Sequence, residues 1–151
     1  MSQSPDWRRA RTLAVDTSGF IYHLEGHPVY GSRLLPVFRH IEQGRCDAVT
    51  STLTFLEVLV QPYREGDESP RVAITGLLAS FPRIRWVDLD LAVADRAAAL
   101  RARYDLRVPD AIQVATAMLA GADMFLTNDR DLRRIVEVSV ILIEDCVEER
   151  G

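Results

Sequence analysis

Five short apolar runs, each parted from the next by segments of helical periodicity, constrain this chain more than anything else in its sequence. The runs are Thr12–Val15, Cys46–Thr50, Ile84–Leu89, Met124–Leu126 and Val138–Ile143. Between them, Thr17–Leu24, Ser32–Gln43, Ser51–Tyr63, Val72–Ser80, Leu91–Arg103, Val108–Ala120 and the short Asp129–Ile135 read as helices. Strands separated by helices need crossover connections, and these predict a parallel sheet covered on its faces. The expected fold class is therefore α/β, a three-layer α/β/α arrangement around a mostly parallel central sheet.

Local signals sharpen the elements. In the second helix Leu34, Leu35, Phe38 and Ile41 recur at helical spacing and predict a core-facing stripe that Gly44 ends. The helix over 51–63 carries Leu53, Phe55, Leu56, Val58, Leu59 and Val60, apolar on nearly all sides, so it is expected to be mostly buried. Arg64–Pro70 reads as a polar connector. Pro109 opens the helix over 108–120 and Gly121 closes it. A length of 151 residues suits one domain. We expect residues 1–10 to form a flexible extension, 11–147 the domain and 148–151 a tail. No long apolar stretch follows the charges of the N-terminus, and no run approaches a membrane span, so a cytoplasmic location is expected.

All 18 basic residues are arginine. Without lysine the chain has no ammonium group for a Walker-type phosphate loop, a Schiff base or a receiver-domain site. An aspartyl phosphatase would place a second acid two residues after the first, and Asp16-Thr17-Ser18 does not. A net charge of −4 argues against a polyanion partner only if it is spread evenly. Were the acids gathered around divalent cations, the arginines would be left to contact phosphates. Cys46 and Cys146 have no metal-ligand spacing and read as buried, reduced thiols.

Four acids recur where an apolar run gives way to a helix. Asp16 ends the first strand, Glu57 lies in the helix after the second, Asp110 opens the helix over 108–120, and Asp129 follows Leu126. Each has an ordinary reading, because acids at helix N-termini are stabilised by roughly 0.3–1 kcal/mol. Asp16 and Asp129 suit N-caps, Asp110 suits a first turn, and Glu57 suits a capping box with Thr54. For Glu57 a carboxylate among Phe55, Leu56, Val58 and Leu59 faces a desolvation cost on the order of several kcal/mol unless it is paired or metal-bound. Jointly the four favour a metal, since clustered carboxylates repel one another unless a hard cation such as Mg²⁺ or Mn²⁺ neutralises them. Such a centre can activate water for in-line attack on a phosphodiester.

Val15-Asp-Thr-Ser18, Thr54-Phe-Leu-Glu57, Val108-Pro-Asp-Ala-Ile-Gln-Val-Ala-Thr-Ala117 and Leu126-Thr-Asn-Asp-Arg-Asp-Leu132, in this order and spacing, give the chain its resemblance to the PIN-domain family. Within that family it most closely resembles the VapC-type ribonuclease toxins of toxin-antitoxin systems, over about Leu13 to Asp145. The resemblance implies a Mg²⁺- or Mn²⁺-dependent endoribonuclease with Asp16, Glu57, Asp110 and Asp129 as its acidic quartet, and Thr17, Thr127 and Asn128 in support. It implies an RNA substrate, a small cognate antitoxin that masks the crevice with a basic side chain, and a homodimer or a hetero-oligomer with that antitoxin. Asp16, Asp110 and Asp129 are expected to hold metal, and Glu57 to hold metal or orient the attacking water. A housekeeping PIN nuclease and a catalytically silent PIN-like RNA-binding module are the alternatives.

Other chemistry-bearing residues have plainer expectations. His23 and His27 read as surface or loop residues, His40 as structural, Asp90 and Asp95 as capping and solvated acids. Asp131 suits either support of the site or a solvated helix position. Trp86 and Phe125 are expected in the core. Trp7, among Arg8, Arg9 and Arg11, is a candidate exposed contact for RNA or a partner.

Overall fold

In the computed structural model, which describes residues 4–146, the apolar runs form strands β1 (Thr12–Val15), β2 (Asp47–Ser51), β3 (Ile84–Val87), β4 (Met124–Thr127) and β5 (Ser139–Leu142). They make one sheet in the order β3-β2-β1-β4-β5, and all four pairings are parallel. The α-helices among the described residues are α1 (Thr17–Glu25), α2 (Gly31–Glu42), α3 (Thr52–Glu65), α4 (Glu68–Ser80), α5 (Leu91–Tyr104) and α6 (Val108–Leu119).

Successive strand side chains point to opposite faces, and here both faces are covered. Leu13 and Val15 join Phe20, Leu34, Phe38 and Leu78 on one side, whereas Ala14, Val49 and Phe125 join Val93, Leu100 and Val114 on the other. This is the expected three-layer arrangement. The chain lays β2 and β3 outward from one edge of β1, then crosses to the other edge to lay β4 and β5. The order therefore reverses between β1 and β4. A crevice opens outside the carboxyl ends of strands at such a reversal, because the flanking crossovers leave in opposite directions.

Several expectations need correction. Helix α3 is not mostly buried: Thr54, Val58, Leu59 and Pro62 form its core-facing stripe, while Leu56 is 59% and Tyr63 62% exposed. The sheet and α4 can cover only one side of it, so its apolar outer face, continued by Val72 and Leu77 of α4, stays open. The polar connector is shorter than expected, because the Asp67 carboxylate accepts from the Ser69 N–H at 3.2 Å and starts α4 at Glu68. In α2 it is Val37, not Leu35, that completes the buried stripe; Leu35 is exposed.

The N-terminal segment departs most. Residues 4–10 pack against the domain, with Trp7 and Ala10 buried. The Trp7 indole meets His40 edge-on at 5.1 Å and joins the core around Leu13 and Ile41. Ser4 Oγ donates to Asp145 at 2.6 Å and accepts from the Leu142 N–H at 3.1 Å. Burying so large an aromatic surface outweighs leaving it free, so Trp7 is not an exposed contact. Residues 1–3 and the tail expected at 148–151 lie outside the described residues. Cys46 and Cys146 are buried free thiols, and burial pushes their pKa values up to about 11 and about 12.

Candidate active site

The reversal between β1 and β4 places Asp16 and Asp129 at the ends of neighbouring strands, and α3 and α6 bring Glu57 and Asp110 to the same crevice. Together the four acids line a cleft of about 410 Å³ with Thr17, Thr127 and Asn128.

Asp16 is the N-cap of α1, as its ordinary reading expects. Its Oδ1 accepts from Gly19 N–H at 3.3 Å and from Ser18 Oγ at 2.5 Å. Its Oδ2 accepts from Thr127 Oγ1 at 2.5 Å, which ties the end of β1 to the end of β4. Gly19 is required by packing: a Cβ there would lie 2.6 Å from Val15 Cγ1, so only glycine lets α1 start this close to β1. Burial pushes the Asp16 pKa up to about 6, against the opposing pull of Ser18, Thr127 and Gly19 and with added repulsion from Asp110.

Asp110 sits in the first turn of α6 behind Pro109. Burial, with repulsion from Asp129 and Asp131, raises its pKa, while Arg107, 3.1 Å away, pulls it down. Asp129 caps a 3-10 turn over Arg130–Arg134 by accepting from Asp131 N–H at 2.9 Å. Its own N–H donates to Thr127 Oγ1 at 3.1 Å, so Thr127 touches both strand-end acids. Asp131 is paired with Arg134 at the surface and does not line the cleft.

Glu57 makes no capping box, since Ser51 caps α3 by accepting from Leu53 N–H. Thr54 is instead fully buried in a polar chain whose direction can be deduced. Thr50 Oγ1 spends its one proton on Val15 O at 2.7 Å, so in the 2.7 Å contact between Thr50 and Thr54 it is Thr54 that donates. Thr54 must then accept, and Gln113 Nε2 donates to it at 2.9 Å and to Thr17 Oγ1 at 3.3 Å. Thr17 is thereby free to donate its own proton to Glu57 Oε1 at 2.7 Å. Glu57 is partly buried at the cleft wall and is satisfied from the protein side, a partner that its apolar neighbours in sequence do not provide.

Sequence reasoning missed Ser18, Arg107 and Gln113. Gln113 had a signal: a polar residue three positions after Asp110, inside a run of Ala, Ile and Val. Arg107 had a weaker one, standing directly before the Val-Pro-Asp motif. Tyr22 and Ile21 also reach the cleft from α1, and the Tyr22 hydroxyl lies 3.5 Å from Asn128 Nδ2. His27 is an internal partner, its Nδ1 accepting from Val29 and Tyr30 N–H at 3.1 Å, and His23 stacks on Phe38.

The donor chemistry fits a hard divalent cation: oxygen ligands only, around a carboxylate whose charge the fold itself leaves destabilised. As the side chains stand, no three His, Cys, Asp or Glu groups among the described residues are close enough together to hold one ion. Mg²⁺ keeps several waters and takes one or two protein carboxylates, so a closed protein cage is not required of such a site.

The PIN domain family model matches residues 13–138. The chain belongs to the PIN domain family. Its PIN fold is similar to that of VapBC2 from Rickettsia felis bound to a DNA fragment from their promoter, with a TM-score of 0.71 and 13% identity over 87% of this chain and 98% of that one. It is also similar to DNA-bound VapBC from Salmonella typhimurium (TM-score 0.66, 17% identity, 87% and 98% covered). A toxin-antitoxin complex from Klebsiella pneumoniae gives a TM-score of 0.61 at 24% identity, with 83% and 94% covered. At these identities the likeness is one of fold. No curated protein sequence is a significant match. No helix among the described residues of this PIN domain is long and apolar enough to cross a membrane.

Proposed function

We propose that this PIN domain is a Mg²⁺- or Mn²⁺-dependent endoribonuclease and the toxin of a toxin-antitoxin pair. The observation that carries the reading is the convergence of Asp16, Glu57, Asp110 and Asp129 on one cleft at the sheet's reversal, with the Asp16 pKa pushed up to about 6. A buried carboxylate in that condition is an anion awaiting a counter-charge. The antitoxin partner is supported by the fold neighbours, three of which are toxin-antitoxin or VapBC complexes.

In this reading Asp16, Asp110 and Asp129 would hold one or two cations, one or two carboxylates to each with water completing the shell, and Ser18 and Thr127 keep the Asp16 carboxylate aimed by donating one hydrogen bond to each oxygen. The bound cation would supply charge neutralisation at the phosphodiester and a more acidic water. Glu57, fixed by the Thr17 hydroxyl, would accept a proton from an attacking water or add an oxygen to a cation. Tyr22 and Asn128, which also line the cleft, bring an aromatic edge, a hydroxyl and an amide that suit contact with an unpaired base, which favours a single strand.

Two observations favour the silent RNA-binding module instead: Asp110 is engaged by Arg107, and the acids among the described residues are not gathered into a ready cage. Expression of the chain alone, with RNA ends mapped in the same cells, separates the two. We expect growth arrest and new 5′ ends that vanish with Asp16→Ala and are suppressed by the protein encoded next door. The same ends at the same frequency in the Asp16→Ala strain would overturn the assignment.

A further inference from the structure

Arg107 is a cation lining a cleft whose other charged lining residues are all acids. It directly precedes α6, its side chain is 77% exposed, and its Nε lies 3.1 Å from Asp110 Oδ2. Asp129 and Glu57 act on the same guanidinium through space. Placed there, it offsets part of the charge that the acids concentrate. With the guanidinium so exposed, solvent screens the pair although Asp110 itself is largely covered, so the contact is weak enough to be exchanged for a better one. A divalent cation at Asp110 is such a competitor, because ion and guanidinium are both positive and draw on the same carboxylate. The arginine stem is long enough to stay at the cleft mouth once released, and a planar guanidinium is suited to phosphate oxygens.

We propose that Arg107 is a substrate-positioning residue that closes on Asp110 when the cation is absent and is turned over to an RNA phosphate when the cation binds. The proposal rests on the reading of Asp110 as a cation ligand. It gives the cleft a built-in counter-ion and delays the phosphate clamp until the cation is in place. Cation and substrate would then bind in a favoured order, the first releasing a group that the second uses.

The test is a Mn²⁺ titration of the full chain, free protein against Arg107→Gln, Arg107→Lys and Asp110→Asn, by electron paramagnetic resonance. Arg107→Gln should bind Mn²⁺ more tightly, by up to about fivefold given the strength of an exposed pair. Arg107→Lys should lie between it and the parent. Damage to folding does not tighten an ion site, so the sign of the change is itself the discriminator. If Asp110→Asn weakens Mn²⁺ binding but Arg107→Gln leaves it unchanged or weakens it, the proposal fails while the nuclease reading stands. If the parent binds no Mn²⁺, or Asp110→Asn binds it as the parent does, both fail.

The second arm measures a fluorescent single-stranded RNA with Mn²⁺ in a Glu57→Gln background, which slows hydrolysis. Adding Arg107→Gln should weaken RNA binding and make its logarithmic salt dependence shallower by about 0.7, the loss of one phosphate contact on a single strand. An unchanged salt slope would overturn the clamp.

Discussion

Two demands pull the charge of Asp16 in opposite directions. As the N-cap of α1 and the acceptor of two hydroxyl groups it is held as an anion, yet burial and Asp110 favour its neutral form and leave its pKa at about 6. The native value lies above the unfolded one of about 3.9, so between those values the native state binds more protons than the unfolded state. The stability this proton gives the metal-free protein is full below about pH 4 and is lost as the pH rises through about 6. Asp16→Asn should therefore be the more stable protein at pH 7 without metal, by up to roughly 3 kcal/mol, and should flatten the pH dependence. Thermal unfolding in chelator between pH 4 and 7 checks this; an Asp16→Asn protein that melts below the parent at pH 7 and keeps its slope contradicts it. With its amide oxygen kept toward Ser18 and the Gly19 N–H, the new side chain turns its NH2 to Thr127, whose hydroxyl can rotate to accept, so the substitution preserves these bonds.

At the scale of elements, the strands and helices were readable because local pattern and tertiary need agree: Thr12–Val15 and α6 begin and end where their residues say. Where they disagree, tertiary geometry prevails. Apolar residues all round α3 do not reveal which stripe finds the sheet, and the largely buried Thr50, Thr54, Thr17 and Gln113 chain joins residues up to 96 positions apart, which no local spacing encodes. Glu57 was found in sequence for a partly mistaken reason: its neighbours Leu56 and Val60 face outward, and its satisfaction comes from Thr17. Trp7 was misread because an aromatic among arginines looks exposed when its pocket beside His40 lies over thirty residues away. Trp7→Ala should cost about 3–5 kcal/mol, the usual penalty for deleting a large buried aromatic. The folded fraction should bind RNA as the parent does. A Trp7→Ala protein of parental stability but weaker RNA binding would restore the contact role.

For the whole molecule, the sheet order β3-β2-β1-β4-β5 is what turns four scattered acids into neighbours. Strand order is the part of the fold that periodicity cannot supply, since any parallel arrangement satisfies the same hydrophobic pattern. The acids themselves were legible because their residue type and their position after each apolar run survive without knowing the order. The open apolar face of α3 and α4 belongs to this scale too, as surface that the described residues do not cover. Cleavage of a single-stranded RNA by the purified protein tests the proposed cation-dependent ribonuclease centre in the cleft most directly. We predict cleavage with Mg²⁺ or Mn²⁺, none in chelator, and a loss with Asp16→Ala greater than the about 100-fold typical of removing a supporting group. Cleavage that persists in chelator, or that Asp16→Ala performs at the parental rate, would contradict it.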